Sequence, residues 1–363
     1  MIVTVTPNPA LDITYGLPAL RPHTSHRVAA VHEQAGGKGV NVARVLHALG
    51  RRATAVLPLG GPAGAAVRAD LDRAGIPCLG VPLAPDASTR RTVAVVDDTD
   101  ATVLNEPGPE LSTEHWAALR TAVRGLLPTA RALVLSGSLP PGVRPGAYAD
   151  LVRLAHEHGV PVVLDADGAA LTEALDARPT VVKPNAVELR HATGIADPLH
   201  AARALADRGA RAVVASLGPD GLLAVTPDGT WRARLPPETV VRGNPTGAGD
   251  AVVAALAAAL ADGAPWPQAL TRAVALSAAA VQAPYAGRFD PQAYRRHLPL
   301  VRILPAAPSH GPATPTPSAP PATPATPTPS AAPTTPTTPT PSAPPARSGR
   351  HPQENPHAPG SHR

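Results

Sequence analysis

The order of segments predicts an α/β fold: a three-layer α/β/α sandwich on a mostly parallel sheet, with a small β-sheet lid. Two observations carry this. Short apolar runs of strand length alternate with longer runs of helical period from residue 2 to about residue 297, a pattern that buries parallel strands between helices. The glycine-rich and polar segments each follow a strand, so they gather at one edge of the sheet, where open α/β sheets hold ligands.

In chain order, residues 2–6 read as a buried strand. Pro7-Asn8-Pro9-Ala10-Leu11-Asp12 reads as a polar turn at its carboxyl end, where Asp12 either caps the turn or accepts sugar hydroxyls. Residues 13–16 and 26–32 alternate weakly and, with 91–105, predict the small sheet; the lid segments are about 13–35 and 88–106. Gly36-Gly37-Lys38-Gly39 opens a helix that ends near Leu49 at Gly50. Strand 53–57, helix 62–74 and strand 78–81 follow, then helix 112–127 and strand 132–135. Leu135-Ser-Gly-Ser-Leu-Pro-Pro-Gly142 is again a loop after an apolar strand. Helix 145–158, strand 161–165, helix 168–176 and strand 180–182 continue the alternation. In Lys183-Pro-Asn-Ala-Val-Glu188, Asn185 and Glu188 share one face of a first helical turn, a spacing an ordinary capping box also explains. Strand 211–216 leads to Ser216-Leu-Gly-Pro-Asp-Gly221, then a hairpin over 222–235 turning at Asp228-Gly229. Helices at about 247–262, 267–282 and 290–297 end the domain, placed at 1–304. Residues 305–363 contain 19 prolines in 59 positions with no apolar period, a composition expected to stay extended and disordered.

Composition narrows the function. One cysteine, Cys78, excludes a disulfide framework and a cysteine-rich zinc site. With an amino terminus that reads as a strand rather than a leader, this favours the cytoplasm. No apolar run reaches membrane-spanning length. The net charge of +5 suggests nucleic acid, but body charges are interspersed and aromatics are 2% of residues, so stacking platforms are scarce and no nucleic-acid partner is expected. His23, His26 and His32 lack metal spacing. Only two of the 32 basic residues are lysine, Lys38 and Lys183, and both sit in glycine- or proline-bounded motifs. A compact ammonium does not substitute for a planar guanidinium, so these two positions read as chemical.

Asn244-Pro-Thr-Gly-Ala-Gly-Asp250 organises the rest. The alanine-rich run after it is helical, so Gly247, Ala248 and Gly249 open a helix whose first N–H groups are unpaired and partly positive. The result is an anion cradle with the Asp250 carboxylate at its edge, though a tight turn with Asp as a dipole partner fits the same residues. A phosphoryl-transfer enzyme needs donors for charge in flight and a base beside the attacking hydroxyl. The third glycine of a dinucleotide fingerprint is missing, and no G-x-x-x-x-G-K-[ST] occurs. Lys38 and Asn41 lie one turn apart at a second glycine-bounded helix start.

Five motifs in order, Thr4-Val-Thr-Pro-Asn-Pro-Ala-Leu-Asp12, Gly36-Gly37-Lys38-Gly39-Val40-Asn41-Val42-Ala43, Leu135 to Gly142, Lys183-Pro-Asn-x-x-Glu188 and Gly247-Ala-Gly-Asp250, resemble the PfkB, ribokinase-like carbohydrate kinases. Within them the sequence is most similar to the 1-phosphofructokinase and tagatose-6-phosphate kinase group. The resemblance runs from Met1 to about Leu304. It implies Asp250 as catalytic base, with the amides of Gly247, Ala248 and Gly249 as anion hole. It implies that Asp12 binds sugar hydroxyls, and that Gly37, Lys38, Asn41, Arg27, Arg90 and Ser138 surround the sugar phosphate. Lys183 and Asn185 then handle ATP phosphates, Glu188 meets Mg²⁺ through water or phosphate, and Ser216, Gly218 and Gly221 line the nucleotide pocket. Asn244 stands where Asp is frequent and is left out of the metal set. The implied partners are ATP, Mg²⁺, a small-molecule sugar phosphate and a second copy joined through the lid. The expected reaction is fructose 1-phosphate to fructose 1,6-bisphosphate, with tagatose 6-phosphate or fructose 6-phosphate as alternative acceptors. A non-catalytic sugar-phosphate sensor would be expected to have lost Asp250 or the glycines, and both are present.

Overall fold

The computed structural model describes residues 1–97 and 101–305; the proline-rich segment from 306 onward, expected to be disordered, lies outside the described residues. In chain order, β1 (Ile2–Val5) enters the main sheet. β2 (Ala10–Gly16) and β3 (Ala30–Gly36) leave it for a second sheet, and α1 (Lys38–Ala48) returns the chain to β4 (Ala53–Leu59). α2 (Gly61–Arg73) and β5 (Cys78–Pro82) follow, and β6 (Arg90–Val96) and β7 (Ala101–Asn105) complete the second sheet. Alternation then resumes with α3 (Thr113–Leu126), β8 (Ala132–Ser136), α4 (Ala147–Glu157), β9 (Val162–Asp165), α5 (Gly168–Ala174), β10 (Val181–Val182), α6 (Ala186–Thr193), α7 (Pro198–Asp207) and β11 (Val213–Ser216). A hairpin of β12 (Leu222–Thr226) and β13 (Gly229–Arg234) precedes α8 (Ala248–Asp262), α9 (Trp266–Val281), α10 (Pro291–His297) and β14 (Arg302–Pro305).

Among the described residues the main sheet has ten strands, in the order β14-β13-β12-β11-β10-β9-β8-β1-β4-β5. β5 through β11 in that order run parallel; β12, β13 and β14 are antiparallel additions at one edge. β1 lies between β4 and β8, so the chain winds outward from β1 in both directions. Such a reversal opens a crevice at the carboxyl ends of the strands.

Side chains alternate between two apolar layers, as the pleat requires. Val3 and Val5 pack with α3, α4, α5 and α7. Ile2, Val134, Val163 and Val181 point the other way, onto α1, α8 and α9. Helix α8 is buried on nearly every side from Asp250 to Ala261, because it is enclosed between the sheet and its helical neighbours. Its run of alanines lets those neighbours approach closely. No helix among the described residues is long and apolar enough to cross a membrane.

The second sheet, in the order β3-β2-β6-β7, is the expected lid, with two corrections. The turn expected to contain Asp12 ends earlier: β2 starts at Ala10 and Asp12 is its third residue. β3 starts at Ala30, leaving His26 to Ala29 in the loop before it. Pairing of β14 with β13 carries the sheet to Pro305, opposite Trp231, one residue into the segment expected to be unfolded. α7 was not expected either, although Asp197 accepts from His200 N–H and Pro198 occupies its first turn, an ordinary helix start. The lid base is anchored: Asp70 of α2 accepts from Ala35 N–H, Arg44 of α1 donates to Ala35 O, and Arg44 and Asp70 pair with each other.

Candidate active site

The carboxyl edge of the sheet presents a polar row. Ser136 and Asp165 are register partners at the ends of β8 and β9. The registers Val5↔Leu135 and Val182↔Leu164 extend the row to Thr6 and Lys183. These side chains fall on the face where α1 and α8 begin, so four strand ends and two helix starts meet at one place.

The chain's two lysines converge there on one carboxylate oxygen. Lys38 Nζ lies 3.3 Å and Lys183 Nζ 3.4 Å from Asp165 Oδ1, and Glu188 Oε1 is 3.7 Å from Lys38. Asp165 is 1% exposed and Lys183 4%. Burial opposes the Lys38 ammonium, but Asp165, Glu188 and Asp250 outweigh it and raise its pKa above the ordinary value. Asp165 was not singled out from sequence. A lone acid at a strand end has no local signature; its place follows from register alone.

Asp250 is the third residue of α8 and 6% exposed. Its Oδ2 accepts from Asn41 Nδ2 at 2.8 Å. Burial, then the charge of Asp165, push its pKa up to about 7; Asn41, Lys38 and Lys183 pull it back. Asn41, expected beside the sugar phosphate, thus holds the Asp250 carboxylate. The helix starts without a side-chain cap at Gly247, φ 86°. A Cβ there would sit 2.9 Å from Ala286 Cα, so only glycine fits both the left-handed backbone and the contact. Of the three expected amides, Ala248 N–H is taken by Pro245 O at 3.1 Å, because residues 245–248 close a turn. The N–H groups of Gly247 and Gly249 make no hydrogen bond among the described residues. A Cβ on Gly249 would come 3.5 Å from Lys183 Nζ, so the lysine stands over the open helix end.

Across the crevice, Asp12 is raised to about 6, by burial first and against the pull of Arg90. Its carboxylate lies over Gly36: a Cβ there would be 2.0 Å from Oδ2. Arg90 donates to Asn8 O, Thr92 Oγ1 and Glu106 O. With Asn8 and Ser138 it lines a cavity of about 620 Å³. Gly37 is the cap of α1. Arg27, expected at the sugar phosphate, is exposed in the loop before β3.

The residues expected to meet the nucleotide fall into two kinds. Asn185 and Glu188 form a complete capping box, with Asn185 Oδ1 accepting from Val187 and Glu188 N–H and Glu188 Oε2 accepting from Asn185 N–H. Glu188 Oε1 stays turned toward Lys38. Ser216 bridges Asn185 at the end of β11, and Gly218 faces open space. Gly221 is held against Ala233 O in the turn to β12.

Residues 6–293 match the pfkB family carbohydrate kinase profile. The chain belongs to the PfkB family of carbohydrate kinases. Its kinase domain is 38% identical over 270 residues to the ATP-dependent 6-phosphofructokinase isozyme 2 of Mycobacterium tuberculosis, covering 72% of this chain and 78% of that protein. The kinase also superposes on phosphofructokinase-2 from Escherichia coli in complex with potassium, with a TM-score of 0.77, 31% identity, and coverage of 82% of this chain and 98% of that one. A possible 1-phosphofructokinase from Thermotoga maritima gives a TM-score of 0.76 at 26% identity, over 84% and 99% of the two chains. The fold is therefore ribokinase-like and the protein a phosphotransferase.

Proposed function

We propose that this kinase transfers the γ-phosphoryl group of ATP to a ketohexose phosphate, forming fructose 1,6-bisphosphate. One observation carries the reading. A buried carboxylate with a pKa of about 7, Asp250, stands in the first turn of a helix whose end is open and overhung by Lys183. Asp250, held by Asn41, accepts the proton of the attacking hydroxyl. The free N–H groups of Gly247 and Gly249 and the Lys183 ammonium stabilise charge on the phosphoryl group in flight. In a loose transition state little deprotonation is needed early, so positioning and charge carry most of the rate. Asp12 receives sugar hydroxyls, and Arg90 with Ser138 receives the phosphate the acceptor already bears, the guanidinium fork matching its oxygens. The lid over this crevice excludes water from the transfer.

Asp165 and Glu188 suit the Mg²⁺ that accompanies ATP. Glu188 keeps one oxygen free of its capping bond, and a carboxylate oxygen is the kind of hard donor such an ion takes, directly or through water, beside phosphate oxygens. Held there, Mg²⁺ would supply positive charge against the ATP phosphates.

Between acceptors, the 6-phosphofructokinase relative at 38% identity favours fructose 6-phosphate. Fructose 1-phosphate, the expectation from sequence, is the second reading, favoured by the Thermotoga maritima neighbour. Tagatose 6-phosphate offers the same anion. We also propose a homodimer through the lid. Val31, Tyr15 and Val95 form one cross-strand row and Leu104 lies beside Val93 on the same face; Val31 and Leu104 are 59% and 60% exposed, an apolar face that a second lid would cover. Steady-state kcat/KM for the three ketohexose phosphates with ATP tests the reaction. Turnover above tenfold preference for one acceptor assigns it, and no turnover with any of them defeats the reading.

A further inference from the structure

We infer that Asn8 is a positioning residue that presents Ser138 as a hydrogen-bond donor to the acceptor's phosphate; this rests on the reading of that cavity as the phosphate pocket. Asn8 follows β1 and is 7% exposed. Its Nδ2 donates to Pro107 O at 3.0 Å and to Ser138 Oγ at 3.3 Å. These partners are 99 and 130 residues away in the chain. Its main-chain oxygen accepts from Arg90 Nε at 3.3 Å. One small residue therefore joins the end of β1, the segment leaving the lid after β7, the loop after β8, and the arginine at the start of β6.

The amide can face only one way. A carbonyl oxygen only accepts, so Pro107 O requires the N–H side of the Asn8 amide, and a flipped amide would set oxygen against oxygen. The second N–H then goes to Ser138 Oγ. A hydroxyl that accepts from Asn8 keeps its own proton for another partner. Ser138 is exposed to the cavity that Asn8 and Arg90 also line. A phosphate dianion offers only acceptors, so the serine is set in the one state that suits it. Among the described residues Asn8 Oδ1 has no partner, and it is buried against Gly108, where a Cβ would come within 2.2 Å. An unsatisfied buried acceptor is unfavourable; the donor half of the amide, not the acceptor half, is what the site uses.

Aspartate has the same shape at position 8 but only acceptors. It would repel Pro107 O, take the Ser138 proton and place a negative charge beside the phosphate. The test is steady-state kinetics with fructose 6-phosphate and fructose 1-phosphate for wild type, N8S, N8D, S138A and the N8S/S138A double variant. N8S is expected to raise the sugar-phosphate KM about tenfold, the scale of one lost bond to a charged group, and N8D more than that. kcat and the KM for ATP should stay within about twofold. Because Asn8 acts through Ser138, the double variant should be no worse than about twofold beyond the weaker-binding single variant. Multiplying effects, a kcat loss as large as the KM rise, or failure of both N8S and N8D to fold would overturn the assignment. Calorimetric titration with inorganic phosphate reads the pocket without turnover. Should wild type phosphorylate no ketohexose phosphate, about tenfold weaker phosphate binding by N8S than by wild type still supports Asn8, and equal binding refutes it.

Discussion

Helices α6 and α8 both begin at the carboxyl edge of the sheet, and they begin in opposite ways. α6 closes its own first turn: Asn185 and Glu188 satisfy the N–H groups of residues 185, 187 and 188. α8 starts at a glycine with no side-chain cap and leaves the N–H groups of Gly247 and Gly249 open. The difference teaches where this protein keeps binding capacity. A helix start that caps itself is stable and chemically quiet; one that does not has an anion site in its place. The acids follow the same division. Glu188 shares its oxygens between a cap and the site, whereas Asp250 accepts one bond, from Asn41, and sits where its charge is disfavoured.

The largest break in this comparison is Asp250→Asn. Loss of the base should lower kcat by about a thousandfold or more, since acid–base catalysis and orientation are removed together, while ATP still binds. Stability should move the other way. The folded pKa of about 7 lies above the ordinary value of 3.8, so between about pH 4 and 7 the folded chain binds the proton more tightly than the unfolded chain. Stability therefore falls as pH rises through that window, and a neutral Asn escapes the loss. At pH 8 the variant should gain of the order of 2 kcal/mol in urea unfolding. In wild type, kcat/KM should fall as pH drops below about 7, because Asp250 must be ionised to act. A loss of stability in the variant, or a flat profile between pH 5.5 and 8, would remove Asp250 from this role.

Gly247→Ala comes next. A methyl group at φ 86° and 2.9 Å from Ala286 must displace the start of α8. A shift of this kind at the proposed catalytic helix start is expected to lower kcat by about a hundredfold, measured against the same change at the open position Gly194, which ends α6 with φ 73° and nothing within 4 Å. Gly194→Ala should lower stability by about 1 kcal/mol and leave kcat alone. Equal kcat losses would show that the two glycines differ only in backbone strain.

These contrasts also mark what the sequence made legible. Periodicity marks the strands and helices that form the two layers, and glycine pairs before apolar runs mark the starts of α1 and α8. The two lysines were visible because arginine fills every other basic position. What they meet was not visible. Asp165 lies in an apolar strand, and only the register of β8, β9 and β10 brings it between Lys38 and Lys183. Asn8 sat in a recognisable motif, but its partners are Pro107 and Ser138. Proline and asparagine before Asp12 favour a turn there; pairing with both β3 and β6 overrides that local preference and draws it into a strand.

Glu188→Gln separates the two uses of one side chain. The amide oxygen can still accept from Asn185 N–H, so the capping box survives and stability should change by less than 0.5 kcal/mol. The charge that faces Lys38 and suits Mg²⁺ is gone. kcat/KM for ATP should fall about tenfold, with a higher magnesium requirement. If stability falls and ATP use does not, the residue caps α6 and nothing more.

The smallest effect is the sharpest control. Asn185→Ser keeps an oxygen that can accept from the N–H groups of α6, while Asn185→Ala removes it and should cost about 1 kcal/mol in unfolding experiments. Asn185 Nδ2 makes no hydrogen bond among the described residues, so both variants also lose a donor beside the proposed nucleotide site. If that donor meets an ATP phosphate, the KM for ATP rises severalfold and equally in both, while stability falls only in Asn185→Ala. If α6 is as quiet as its closed first turn indicates, Asn185→Ser matches wild type in KM and stability alike. The pair therefore decides whether a helix start that has satisfied its own backbone keeps any part in holding the nucleotide.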